Sequence, residues 1–135
     1  MMFLEDARKQ SEFITAYLEY QRLSRSEHRS ERLLADQYFW ACEELREQTL
    51  VEPSDNIVDL LVELCEVASG DVETIGVLGA GAVEDLVNNH GERFVDEIEQ
   101  AARRHPQFRT CLSHVWFSEQ LEPALRDRLA RLAGQ

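Results

Sequence analysis

Apolar residues recur along this chain at the three- and four-residue spacing of helices. In the first segment, from Leu4 to about Leu23, they fall at Leu4, Ala7, Ile14, Tyr17 and Leu18, with Phe3, Phe13 and Tyr20 broadening the stripe. Ser24-Arg25-Ser26 reads as a turn, and Ser26 or Ser30 is placed to cap a second helix carrying Leu34, Tyr38, Ala41, Cys42 and Leu45 on one face, widened by Phe39 and Trp40. Pro53 and Ser54 mark a third start, because proline suits a first helical turn, and Ile57, Leu60, Leu61, Leu64, Val67 and Ala68 follow at amphipathic positions.

The punctuation changes after Ser69. Five of the six glycines, Gly70, Gly76, Gly79, Gly81 and Gly91, fall within the next two dozen residues, which predicts short helices with tight joints. Asp71 can cap a brief helix through Leu78, Gly79 can end it in the left-handed conformation, and Val83, Leu86 and Val87 form the buried face of the next, which Gly91 would stop. Phe94, Val95, Ile98, Ala101 and Ala102 define another helix, ended or redirected by Pro106, and Phe108, Cys111, Leu112, Val115 and Trp116 continue the pattern. A last helix, with Pro123 in its first turn, carries Leu125, Leu129 and Leu132 after Leu121. No period-two stretch reads as a strand. The expectation is one all-α domain over residues 1–135, a compact set of about seven or eight short antiparallel helices, with an α-solenoid-like stacking in the second half.

Within that glycine-rich region, Leu78-Gly79-Ala80-Gly81-Ala82-Val83-Glu84-Asp85-Leu86, then His90-Gly91, Ile98, Ala101-Ala102, Pro106, Phe108-Arg109, Leu112 and Val115-Trp116, resembles a family of uncharacterised small bacterial helical proteins, a domain of unknown function. Its hallmark is a Gly-Ala-Gly-Pro-Leu-Glu-Asp-Leu string followed by His-Gly and a later Val-Trp, so Ala82 stands where proline is usual. The likeness covers about the central third of the chain. It implies a shared helical fold and a bacterial source, and lends no chemistry.

Charge narrows the function classes. Fourteen basic against twenty-six acidic residues give a net charge of −12, which opposes attraction to nucleic acid or to anionic membranes. The excess is concentrated: from Glu43 to Glu73 there are ten acids and one base, Arg46, whereas Arg25, Arg29 and Arg32, then Arg103, Arg104 and Arg109, then Arg126, Arg128 and Arg131 form basic islands. Three widely separated cysteines, Cys42, Cys65 and Cys111, read as free buried thiols. The opening Met1-Met2-Phe3-Leu4-Glu5-Asp6 puts acids where a secretory signal carries a basic end and an apolar run, so the expected compartment is the cytoplasm.

The candidate chemistry is sparse. Gly79-Ala80-Gly81 before a helix invites an anion, but Glu84 and Asp85 in the first turn would occupy the positive helix end, and no strand or following lysine completes a nucleotide loop. Glu84, Asp85 and His90 do not share a helix face; a structural role is expected, with a carboxylate pinning a neighbouring helix through an arginine such as Arg109 and His90 at a helix C-terminus. His28, His105 and His114 show no zinc spacing, and Cys111 lines up with Phe108, Leu112 and Val115 on a buried face, where a thiol is inert. No cofactor or metal is expected.

Three functions remain in play. The first is a non-enzymatic interaction protein that binds a basic partner, as immunity proteins bind basic toxins, through an acidic surface comprising Glu43, Glu44, Glu47, Glu52, Asp55, Asp59, Glu63 and Glu66. The second is a ligand-binding or enzymatic domain with a site near Glu84, Asp85, His90 and Arg109, the motif that also includes Gly79, Gly81 and Trp116. The third is a homo-oligomer joined through complementary acidic and arginine-rich faces.

Overall fold

A computed structural model describes residues 6–134, so the expected roles of Phe3 and Leu4 lie outside it. The elements are α1 (Ala7–Ser24), α2 (Arg29–Leu34), α3 (Phe39–Arg46), α4 (Ile57–Val67), α5 (Val72–Leu78), α6 (Glu84–Arg104), α7 (Pro106–Leu112) and α8 (Pro123–Leu132). A 3-10 turn, Ala35–Tyr38, joins α2 to α3, a π-turn, Glu47–Val51, extends α3, and a second π-turn, Gly79–Val83, joins α5 to α6. The described residues therefore form six continuous helical paths and contain no strand, an all-α domain with slightly fewer separate pieces than the pattern predicts. No helix among them is long and apolar enough to cross a membrane.

The core is built around α4, whose Ile57, Val58, Leu60, Leu61, Leu64 and Cys65 are all sealed from solvent. Its acids Asp59, Glu63 and Glu66 take the remaining stripe. α4 packs on α6 and α7, α6 also contacts α8 and the first π-turn, and α1 lies against the 3-10 turn and α3. Phe13, Phe94 and Phe108 are the largest fully buried side chains.

Several helix starts follow the expected chemistry. Asp6 caps α1, Asp71 caps α5, Glu122 caps α8, and Pro106 and Pro123 stand in the first turns of α7 and α8. Asp71 accepts from the Thr74 amide (3.1 Å), the Thr74 hydroxyl (2.6 Å) and Arg25 Nη2 (3.0 Å). These bonds, that of the Thr74 hydroxyl above all, hold its carboxyl below the ordinary aspartate range. Asp71→Ala should cost about 1 kcal/mol at neutral pH, the usual size of an N-cap deletion. Because the folded pKa is depressed, that stabilisation is present above the ordinary carboxylate value and is lost as pH falls through the lowered one. Urea melts of both proteins should therefore differ at about pH 7 and converge towards about pH 2; a difference unchanged across that range would show that the carboxylate is not the source.

Four expectations are corrected. Gly79 does not end a helix: its φ of −65° and ψ of −51° are right-handed helical, and α5 runs through it into α6. Gly91 does not stop α6 either; the helix kinks one residue earlier, at His90 (φ −139°, ψ 20°), and continues to Arg104. Pro53 lies in the connection after the first π-turn rather than in the first turn of α4, whose N-cap is Asn56. The cap of α2 is His28, with Ser26 two residues before it: the Ser26 hydroxyl accepts from the His28 amide (3.0 Å) and donates to Glu31 (2.8 Å).

Candidate functional site

Several residues of the region 79–116 act as packing devices. A Cβ on Gly79 would collide with the Cys111 carbonyl oxygen and would lie 2.8 Å from His114 Cβ, so glycine is what lets the α5–α6 path touch α7. Gly91 faces Leu125 and Leu129 of α8 at ordinary contact distance. Glu84 accepts from the Trp116 amide (2.7 Å), while Asn88 donates to the Trp116 carbonyl (2.8 Å) and accepts from the Ser118 amide (2.9 Å). These two side chains fix the strand-free segment after α7. The pinning of a neighbouring element that the sequence suggests is thus made by Glu84, onto a backbone amide and not through Arg109. Trp116 leaves the apolar phase of α7 because that helix ends at Leu112, and its side chain is 65% exposed.

His90 also has a structural partner. Its Nε2 lies 2.9 Å from the Leu50 carbonyl, and since a carbonyl only accepts, Nε2 carries the proton. Leu50 lies in the last turn of the path that runs from α3 through the π-turn, where carbonyls lack helical partners. His90 therefore does meet a helix C-terminus, but that of another helix, while itself sitting mid-helix at the kink.

The polar motif residues do not share one concavity. Asp85 lines a cleft with Tyr17, Gln21, Arg46 and Thr49, whereas Arg109 lines a different one beside Arg131 and the end of α8. Burial raises the Asp85 carboxyl above its ordinary range, Glu84 adds to the rise, and Arg46 opposes it. The anion reading of Gly79-Ala80-Gly81 has no free helix start to use, because the amides of Gly79 and Glu84 are already bonded within the continuous helix. Among the described residues no group of three or more His, Cys, Asp and Glu side chains gathers where a metal could sit.

The thiols are poor nucleophiles. Cys111 is sealed, its sulfur 3.5 Å from the Ile75 carbonyl, and contact with Cys65, together with burial, pushes its pKa up. Half-buried Cys42 is pushed up to about 11 by burial and the nearby Glu43. Both stay protonated at neutral pH.

The acidic run divides between distinct surroundings. Asp55 pairs with Arg93 (2.7 Å), Glu66 approaches His105 (3.5 Å), Glu63 accepts from Gln10, and Asp71 and Glu73 both pair with Arg25. Asp59 stands near Glu97, whose carboxyl is raised chiefly by burial and then by Asp59 and Asp55. Glu52 is exposed in the α3–α4 connection. Glu43, Glu44 and Glu47 form no ion pair among the described residues and face, together with Arg46, an open groove of about 940 Å³ along α3 that is floored by Phe39, Trp40, Leu50 and Val51.

Those aromatics are half exposed and yet anchored. Trp40 is 47% exposed, but its ring meets Phe13 edge-on with centroids 6.2 Å apart; Phe39 meets Tyr20 at 5.6 Å. Trp40 also lines a second, smaller groove with Ser11, Glu12 and Thr15 of α1, so it stands as a ridge between two depressions. Phe39 and Trp40 are the functional candidates that the charge pattern alone misses, since their helical phase reads as core.

No curated protein and no solved structure is significantly similar to the chain. A family model, however, matches residues 28–135, from the start of α2 to the end, and so includes both the packing motif and the α3 face. The chain therefore belongs to the family of unknown function DUF6869.

Proposed function

We propose that this domain is a protein-interaction module that binds a basic partner protein along the outer face of α3. The observation that carries the reading is the combination at that face: Phe39, Trp40, Leu50 and Val51 stand exposed or half exposed beside three acids, Glu43, Glu44 and Glu47, that form no ion pair among the described residues and outnumber the one base there, Arg46. Ring packing from α1 pre-orders the aromatics, so little side-chain freedom is lost on binding. Anchored aromatics at the centre of a patch supply most of the energy of typical interfaces, and the surrounding charge selects the partner and speeds its approach.

The α3 face fits an amphipathic basic segment that lays apolar side chains along Phe39 and Trp40 and presents lysine or arginine to the three glutamates. Its site of action is taken to be the cytoplasm, since three free thiols suit a reducing compartment. The test is co-purification from the source cell followed by affinity measurement with the captured partner. Trp40→Ala should weaken binding about thirtyfold, the effect of losing about 2 kcal/mol at a hot spot. Glu43→Lys with Glu47→Lys should slow association and remove its salt dependence. Binding indifferent to both changes, or a complex that is only a second copy of this chain, would remove the reading.

A further inference from the structure

A second concavity lies on the side of α3 turned towards α1 and α6. It holds about 210 Å³, room for roughly seven water-sized groups at ~30 Å³ each. Two π-turns flank it, one contributing Thr49 and the other Gly81, and the two turns touch. A π-turn inserts one residue into a helix and re-aims the side chains around it, and such turns concentrate at binding sites. Here two of the three helical paths that line the cleft carry one, α1 being the exception.

The polar groups lining the cleft are left incomplete by the fold. Tyr17 is 4% and Gln21 8% exposed, and neither the Tyr17 hydroxyl nor the Gln21 amide has a hydrogen-bond partner among the described residues. A buried hydroxyl or amide without a partner is costly, so such groups are normally satisfied. They are not sealed: among the described residues only Ser54 Oγ is both fully enclosed and unpartnered, so the polar atoms of Tyr17 and Gln21 open onto the cleft they line. A Cβ built on Gly81 meets nothing within 4 Å, which shows that the space there is not filled by packing. Arg46 and Asp85 both line the cleft and feel each other's charge, yet they form no ion pair. A molecule carrying one charge of each sign can meet both groups within this cleft.

We propose that this cleft binds a small zwitterion of the size of a free amino acid, its carboxylate on Arg46, its ammonium on Asp85, and its middle against the Tyr17 hydroxyl and the Gln21 amide. Guanidinium can grip a carboxylate through two parallel hydrogen bonds, and a carboxylate accepts from an ammonium. Burial keeps the Tyr17 phenol protonated, so it serves as a neutral donor. With Cys42 also protonated, the site binds its ligand without reacting with it. The inference does not depend on the α3 outer face being an interaction surface.

The experiment is a thermal-shift screen of the intact protein with each standard amino acid in turn at millimolar concentration, with acetate and ethylamine as half-ligand controls, followed by calorimetric titration of any amino acid that shifts the melt. At least one amino acid should raise the melting temperature by several degrees, with both controls inert. Arg46→Gln and Asp85→Asn should each weaken the titrated affinity at least tenfold, and Gly81→Leu, which fills the cleft, should abolish binding. Should Gly81→Leu fail to fold, amide shifts at Thr49 and Gly81 during titration of the wild type report the location instead. The inference is overturned if no amino acid shifts the melt, if acetate or ethylamine alone acts as strongly, or if binding survives Asp85→Asn with the Thr49 and Gly81 amides unmoved.

Discussion

Gly79→Ala should destabilise the domain by about 2–3 kcal/mol, whereas Gly81→Ala, two residues further along the same Gly-Ala-Gly string, should stabilise it by up to about 1 kcal/mol. Both glycines are in right-handed helical geometry, so alanine gains helix propensity at each. The difference lies in what the new methyl group meets. At position 79 it strikes the Cys111 carbonyl oxygen and His114 Cβ, and because the obstacle is backbone, α7 itself must move. At position 81 it enters open space. Thermal melts should separate the two variants clearly, with the midpoint lowered by roughly 6–10 °C for Gly79→Ala and raised slightly for Gly81→Ala. Equal losses at both positions would mean that the string is constrained by something other than the approach of α7.

Phe108→Ala should have the largest effect of any single change considered, about 3–5 kcal/mol. Phe108 is completely buried in a seven-residue helix that packs against α4, α5 and α6. α7 is too short to hold helical form without those contacts. Removing the ring leaves a cavity in the buried core that its packed surroundings cannot simply close. The loss approaches the whole stability of many domains of this size. Urea titration should show the midpoint fall steeply with the slope unchanged; a change of less than about 1 kcal/mol would show that α7 is not an integral part of the core.

How far the sequence could be followed depended on whether the determining contact was local. Asp71 and Pro123 act on their own first turns, and Pro106 ends the helix just before it, so their roles are visible from the residues alone. The apolar face of α4 likewise follows from the spacing of Ile57, Leu60, Leu61 and Leu64. From the sequence Gly79 reads as a helix end, because a glycine satisfies a left-handed cap and a close helix approach equally well. Only Cys111, more than thirty residues later, decides between them. The same holds for His90, whose partner carbonyl is Leu50. Trp116 shares the helical phase of Leu112, but α7 stops between them, so periodicity assigns it wrongly to a buried face.

The candidate sites were legible only in part. Glu43, Glu44 and Glu47 stand out as charge, but spacing cannot tell that Asp55, Asp71 and Glu73 find arginines on other elements. The sequence clue to the second cleft is a single polar position: Gln21 falls four residues after Tyr17 on the otherwise apolar stripe of α1, and a polar residue on a buried stripe needs a partner.

In the proposed function the α3 face is the binding surface, while Gly79, Glu84 and Asn88 hold helices together. Two tryptophans, Trp40 on that face and Trp116 in the clamped segment beyond α7, report on the two halves separately. The most direct measurement is therefore fluorescence of two single-tryptophan variants, Trp116→Phe and Trp40→Phe, titrated with an amphipathic helical peptide of leucine and lysine at low and high salt. Emission from Trp40 should shift to the blue as its ring is covered, and the shift should fade as salt rises, while Trp116 stays unchanged. A response from Trp116 with Trp40 silent would contradict the assignment.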